Sequence, residues 1–205
     1  MDKKFIVVGV LVVIIVVVGF GVVALLNVFD LSDGSVVSGN IDGKEIEFVN
    51  GSFNISETGK DQILELEGLK FKIPKGYSGE ISFNNESNTV SCFIIQGDEV
   101  ILFSYVGKGS AEDFVKKDTK SEDMSTGEKL SIKNFDLYPV LYTGSGFSAR
   151  LDFTYSPADS DDLFMVVDYY YFEKDGNVFQ MGKGFKYPFS SFTYDGEDLS
   201  EFLIG

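Results

Sequence analysis

The longest uniform pattern in the chain is an apolar run at its start. Residues 5–26, from Phe5 to Leu26, carry no charged or polar side chain. A helix of that length rises about 33 Å and matches a hydrocarbon core about 30 Å thick. The run is longer than the apolar region of a cleaved signal peptide, which has about 7–15 residues, and no small-residue cleavage site follows it. A retained transmembrane anchor is therefore favoured over a cleaved signal.

The charges that flank this run predict its orientation. Lys3 and Lys4 precede it, and Asp30 and Asp33 follow it. Lysine and arginine stay on the cytoplasmic side of a membrane span. The sequence therefore predicts a single-pass protein of the cell membrane. Its predicted parts are a cytoplasmic N-terminus (1–4), a transmembrane helix (5–26), a linker (27–39) and an extracytoplasmic domain (40–205).

Beyond the linker, apolar and polar residues alternate with a period of two, which is typical of half-buried strands. Alternation on both sides of Asn50-Gly51, in EIEFV and SFNIS, predicts a hairpin with a type I′ turn. In QILELEGLKFKIP the apolar parity changes, which predicts a bulge or tight turn at Glu67-Gly68. ISF, NTVSCFII and EVILFSYV are predicted to be strands, with Cys92 buried in the second of them.

One stretch changes to the period of a helix. Ser110, with Asp113 three residues later, resembles a capping box at the start of this predicted helix. Strands resume in KLSIKNF, PVLYT and FSARLDFTYS, a hairpin turn is predicted at residues 173–176, and a short helix at residues 199–203. The predicted fold class is α+β, with an N-terminal transmembrane helix followed by one antiparallel β-sheet domain with few flanking helices.

These elements resemble a known family. The strand and turn FKIPKGY, the paired strands, the intervening helix, the Tyr-Tyr-Phe hairpin and the terminal helix look like a PsbP/Mog1-like domain over residues 65–205. The whole chain then resembles a single-pass, membrane-anchored protein of archaeal type. The resemblance implies an antiparallel sheet flanked by helices and a non-enzymatic role in binding or assembly. No residue matches a functional signature of PsbP or of Mog1, so neither specific function is carried over.

The acidity of the chain narrows the classes of function. Its formal net charge is −15, with 32 acidic against 17 basic residues, which repels phosphate backbones and argues against nucleic acid as a partner. Solubility is the favoured explanation, and a cationic partner or a divalent metal is the alternative. The chain has no His and one Cys, so nucleophilic triads and zinc sites lack their residues. We expect neither catalysis nor a cofactor.

Three groups of residues are candidate sites. Sequons of the Asn-x-Ser type mark three candidate glycan acceptors, Asn50, Asn54 and Asn85. Successive tyrosines on one strand predict one aromatic face under a helix and leave the other as a candidate binding platform, formed from Tyr169, Tyr170 and Tyr171. Two acidic stretches, favoured as solvated loops, are weak candidates for Ca²⁺ binding: Asp159, Asp161 and Asp162, and Asp195, Glu197 and Asp198.

Together these features predict a membrane-tethered, extracytoplasmic module for protein interaction or assembly at the cell envelope, without enzymatic activity. Residues 5–26 would contact the membrane, and the domain would bind a protein partner. The alternative is a small-molecule or metal-binding sensor domain, with hydrolysis of a glycoside as a third reading. An exposed aromatic patch without a pocket favours the first function, and an enclosed apolar pocket favours the second.

Overall fold

The computed structural model describes residues 39–46, 51–84, 86–143, 154–157, 160–188 and 196–204. Most of the alternating pattern in these ranges forms β-strands, and one α-helix and one 3₁₀ helix accompany them. The strands are β1 (Gly39–Ile41), β2 (Lys44–Glu45), β3 (Gly51–Ile55), β4 (Gln62–Leu66), β5 (Leu69–Ile73), β6 (Ser78–Asn84), β7 (Thr89–Gln96), β8 (Glu99–Lys108), β9 (Met124–Thr126), β10 (Leu130–Ile132), β11 (Phe135–Tyr142), β12 (Thr154–Tyr155), β13 (Leu163–Lys174), β14 (Asn177–Tyr187) and β15 (Leu203–Ile204). The helices are α1 (Ala111–Asp118) and the 3₁₀ helix (Gly196–Glu201).

The described strands form two antiparallel sheets. The five-stranded sheet has the order β15-β5-β4-β1-β2. The ten-stranded sheet has the order β10-β11-β13-β14-β8-β7-β6-β3, with β12 beside β13 and β9 beside β11. One end of this larger sheet is β3, which pairs with β6.

Stacked phenylalanine rings join the two sheets. Phe71 of β5 lies over Phe103 of β8, with ring centroids 4.3 Å apart and an angle of 5° between the ring planes. Such aromatic pairs contribute about 0.5–1.5 kcal/mol beyond the apolar area that they bury. Neighbouring centroids are no more than 5.9 Å apart along the whole series of buried rings, Phe202, Phe71, Phe103, Phe179, Phe172 and Phe135.

Tight turns explain where the alternating pattern changes. Leu66 pairs with Leu69, so Glu67 and Gly68 alone form the turn between β4 and β5. Both residues have positive φ angles, 46° and 78°, as a type I′ turn requires. The predicted turn at Glu67-Gly68 is confirmed, and so is the predicted hairpin at residues 173–176, where Lys174 pairs with Asn177 across Asp175-Gly176.

The hairpin predicted around Asn50-Gly51 falls largely on residues 47–50, which lie outside the described residues, and it stays a prediction. β2 pairs with β1 in the five-stranded sheet, whereas β3 pairs with β6 in the ten-stranded sheet. Asn50 itself lies outside the described residues. The described residues on the two sides of residues 47–50 therefore have partners in different sheets.

The predicted fold class also needs correction. Within the described ranges the chain is mainly β, with a single eight-residue α-helix, so it is not an α+β domain after a transmembrane helix. The apolar positions predicted as a C-terminal helix, Leu199, Phe202 and Leu203, are buried as expected. They belong to a 3₁₀ turn followed by the short strand β15.

The predicted membrane localisation is corrected as well. No helix among the described residues is long and apolar enough to cross a bilayer. The predicted span, residues 5–26, and residues 27–38 of the predicted linker lie outside the described residues, and β1 begins at Gly39. The function proposed below therefore does not include a single-pass membrane anchor or an extracytoplasmic location.

Cys92 lies in the core, as its sequence context predicts. Val90, Cys92 and Ile94 are completely buried on the face of β7 that meets the five-stranded sheet. Burial also raises the pKa of the Cys92 thiol, because the thiolate would lose its hydration in apolar surroundings.

We predict that a thiol reagent labels Cys92 slowly in the native protein and rapidly in denaturant, because only the unfolded chain exposes the thiol. The measurement is the labelling rate at neutral pH, followed by mass spectrometry. Equal rates with and without denaturant would contradict the burial of Cys92.

We predict that Phe103→Ala lowers the free energy of unfolding by about 3–5 kcal/mol, because it leaves a cavity in the stack of rings. Phe53→Ala is the matched control. Phe53 is 47% exposed, so we expect a loss of less than about 1 kcal/mol. Urea unfolding of the two purified variants makes the comparison, and similar losses would show that the ring stack does not hold the sheets together.

Candidate functional site

The structure places all three candidate tyrosines in the interior. Tyr169 and Tyr171 lie on the β13 face that packs against α1, and Tyr170 lies on the opposite face, in the main core. Their exposed fractions are 2%, 6% and 5% for Tyr169, Tyr170 and Tyr171. The prediction that one face is buried under a helix is correct, but neither face leaves a tyrosine platform for a partner.

Alternate side chains of β13 hold α1 at both of its ends. At the start of the helix, the backbone N–H of Ala111 donates to Oε2 of Glu173 over 2.8 Å. At its end, the hydroxyls of Tyr169 and Tyr171 donate to Oδ2 of Asp118 over 2.8 and 2.7 Å. Glu173 therefore satisfies an N–H of the first helical turn and places a negative charge at the positive end of the helix dipole.

This capping arrangement differs in part from the predicted one. Ser110 occupies the N-cap position, as its sequence context predicts, but its side chain makes no capping hydrogen bond. The carboxylate of Glu173 serves instead, 62 positions away in the chain. Local spacing cannot reveal so distant a partner, so sequence reasoning missed Glu173.

The polar contacts of Tyr171 make it a structural group and not a catalytic base. Gln180 Nε2 donates to the Tyr171 hydroxyl over 3.3 Å in a buried position. Burial, and then the charge of Asp118, raise the pKa of Tyr171 well above its usual value. The phenol therefore stays protonated and donates its hydrogen bond to Asp118.

The acidic candidates are not brought together by the described structure. Asp162 forms an ion pair with Lys186 at 2.8 Å, and this contact lowers the pKa of Asp162. Asp161 and Asp198 are exposed, the Glu197 side chain is not described, and Asp159 and Asp195 lie outside the described residues. No group of three potential metal ligands occurs among the described residues.

The glycosylation candidates divide in the same way. Asn54 is exposed on β3, as its predicted outward position requires, and it lies opposite Glu80 of β6. Asn50 and Asn85 lie outside the described residues. Glycan attachment at the three sequons stays a prediction.

Two depressions in the described surface are open to solvent, with volumes of about 390 and 560 Å³. The first lies beside α1 and is lined by Lys108, Gly109, Ser110, Asp113, Phe114 and Lys117. The second lies beside the β1–β2 and β4–β5 turns and is lined by Gly39, Asn40, Gly43, Glu45, Glu65 and Gly68. Ligand sites usually enclose most of a small molecule, and neither depression has that form.

The outer edge of β3 is the feature that sequence reasoning did not single out. β3 has five residues, GSFNI, and none of them is charged. The other strands at the ends of the two described sheets, β2, β10 and β15, have only two or three residues. Exposed edges are normally protected by charge, proline, a bulge or shortness. β3 has none of these within its described residues.

Phe53 is the aromatic group at this edge. It pairs with Ile81 of β6, which is buried in the main core, and it has the parity of the buried Ile55. Phe53 nevertheless remains 47% exposed. Of the large hydrophobic side chains that the structure describes, only Phe53 and Tyr187 are exposed to this degree. Phe53 therefore lies at the rim of the core.

The electrostatic environment of this edge is acidic. β3, β6 and β7 contain a single charged residue, Glu80, which lies opposite Asn54. Glu57 follows β3 and Glu86 lies in the turn after β6, and both are exposed. The surface defined by β3, Phe53 and these three glutamates is called the β3 edge below.

Comparisons of the chain with protein-family models, with curated proteins and with solved structures found no match.

We predict that Tyr171→Phe lowers the free energy of unfolding by about 1–3 kcal/mol, because it leaves buried Gln180 without its acceptor and removes one of the two hydrogen bonds to Asp118. Tyr187→Phe, at a site that is 42% exposed, should change it by no more than about 0.5 kcal/mol. Denaturant unfolding of both variants at neutral pH is the measurement. Equal effects would show that the contact with Asp118 does not stabilise the fold.

The same variant has a predicted effect on pH dependence. Above about pH 10 the unfolded chain ionises its tyrosines, whereas folded Tyr171 stays protonated, so the unfolded state binds fewer protons. The free energy of unfolding must then fall as the pH rises, by up to about 1.4 kcal/mol per pH unit for this group. Tyr171→Phe should make this alkaline decline less steep, and an unchanged slope would contradict the assignment.

Proposed function

We propose that this protein is a non-enzymatic protein-interaction module that binds an extended segment of another protein along the β3 edge. The observation that carries the proposal is an uncharged five-residue outer strand with a half-exposed phenylalanine. Unpaired N–H and C=O groups of an outer strand form a ready template for another strand.

Strand addition would suit both faces of this edge. A partner strand beside β3 would form main-chain hydrogen bonds that supply affinity, while its alternate side chains supply specificity. A partner side chain beside Phe53 would cover the exposed part of the ring and extend the rim of the core. Cross-strand pairs with aromatic side chains contribute about 0.2–1 kcal/mol relative to alanine.

The alternative functions have less support from the described residues. A small-molecule sensor is favoured by an enclosed pocket, and the two depressions described above are open. A metal sensor needs clustered ligands, and the described part of the chain brings no three of them together. The PsbP/Mog1-like resemblance also implies a binding or assembly role, and it stays a prediction.

The test uses peptides selected on the purified protein from a displayed library of random sequences. We expect selected peptides to slow amide hydrogen exchange in β3, and we expect Phe53→Ala to weaken their binding at least about tenfold, or about 1.4 kcal/mol. Tyr187→Ala is the matched control, because Tyr187 is also a half-exposed aromatic residue, 42% exposed.

The outcomes of this test are distinct. Protection of β3 together with loss of binding in Phe53→Ala alone supports strand addition. Peptides that protect a different region, or that bind both variants equally well, would contradict it. Urea unfolding of the two variants shows whether a loss of binding reflects a loss of folding.

A further inference from the structure

We infer that the partner of the β3 edge is a cationic strand, with basic side chains on one face and an apolar side chain beside Phe53 on the other. This inference rests on the proposed function and names the chemistry of its partner. It follows from the two faces of β3, from the charges around them and from the overall charge of the chain.

The two faces of β3 differ in chemistry. Phe53 pairs with Ile81, which is 2% exposed, so Phe53 lies on the core side of the sheet. Ser52 and Asn54 have the opposite parity, and Asn54 pairs with Glu80. Because side chains alternate along a strand, an added strand must place one set of side chains beside Phe53 and the other set beside Ser52 and Asn54.

The polar face of this edge attracts positive charge. The acidic residues on the neighbouring strand and next to the strand ends are Glu80 on β6, Glu57 after β3 and Glu86 in the turn after β6. β3, β6 and β7 contain no lysine or arginine to oppose them. Cationic side chains on an added strand therefore meet a potential of the opposite sign, which favours encounter and fixes orientation.

Two of the lysines that follow β3 in the chain are engaged elsewhere. Lys60 Nζ lies 3.2 Å from Asp42 Oδ2, and Lys72 Nζ lies 3.9 Å from Asp61 Oδ2. Asp42 lies in the β1–β2 turn of the five-stranded sheet, and Lys72 lies on β5 of the same sheet. Neither pair neutralises Glu80 on β6 of the other sheet.

A second copy of this chain is a poorer partner. Pairing two β3 strands would bring together two edges with the same glutamates, on chains that each have a net charge of −15. Like charges across an interface disfavour association. A cationic strand removes this repulsion and supplies the same main-chain hydrogen bonds.

The experiment uses three synthetic heptapeptides and the full chain. The cationic peptide is Lys-Val-Lys-Phe-Lys-Val-Lys, and its two counterparts have Thr or Glu at every Lys position. We expect the cationic peptide to bind at least about tenfold more tightly than the Thr peptide, with amide protection in β3, and to lose affinity as salt is added. The Glu peptide should not bind measurably.

A charge reversal provides the specific test. Glu80→Lys should weaken binding of the cationic peptide and strengthen binding of the Glu peptide. The matched control is Glu112→Lys, which makes the same change in net charge on exposed α1, whereas Glu80 lies beside β3. Urea unfolding of each variant confirms that it folds.

Asn54→Lys and Asn54→Glu form a second pair at the edge itself. A purely steric block would weaken binding of the cationic peptide to both variants. Charge complementarity predicts weaker binding to Asn54→Lys alone. These variants keep the test informative if Glu80→Lys fails to fold, because Asn54 is exposed.

The results separate the inference from the proposed function. Equal binding of the three peptides at β3 would contradict the inference of a cationic partner, but it would still support strand addition as the function. If library-selected peptides protect β3 but carry no basic residues, the same conclusion follows. If no peptide of any kind protects β3, both the inference and the proposed function are contradicted. A concentration-dependent dimer with protected β3 would instead show that a second copy of the chain binds this edge.

Discussion

The contact between Phe71 and Phe103 is the one on which the rest of the structure depends. Each sheet has a face of buried apolar side chains that meets the other sheet, and a sheet alone would leave that face in water. The stacked rings, 4.3 Å apart, join the five-stranded sheet to the middle of the ten-stranded sheet and so close a common core. The buried position of Ile81, and through it the position of β3 and Phe53, follows from that closure.

Much of the fold was predictable where the signal is local. The parity change at Glu67-Gly68 indicated a turn because side chains alternate strictly along a strand. Pairing between distant segments was not predictable in this way. β2 and β3 are close in the chain, for example, yet they join different sheets. The predicted terminal helix likewise became a 3₁₀ turn and a strand, because β5 offers Phe71 as a partner for Leu203.

The candidate site was harder to predict than the core, because exposure depends on where a sheet ends. Phe53 and Ile55 have the same parity and similar hydrophobicity, yet one is 47% and the other 3% exposed. The tyrosines show the reverse error, since their consecutive order suggested one free face and both faces are covered. The lack of charge in GSFNI was visible in the sequence, but it becomes informative only when β3 is known to be an outer strand.

The face of the ten-stranded sheet that points away from the five-stranded sheet is covered unevenly, and this determines what kind of partner the β3 edge suits. At the β13 end, α1 covers Tyr169 and Tyr171. Towards β3, Ser91 and Ser82 lie in one cross-strand row with Ser52, and such polar side chains need no cover from water. Apart from the exposed part of Phe53 and the neighbouring glutamates, this end offers a partner mainly backbone hydrogen bonds. Five residues bury far less than the roughly 1,200–2,000 Å² of a stable interface, so the geometry fits an exchangeable contact with a short segment and not a permanent subunit interface.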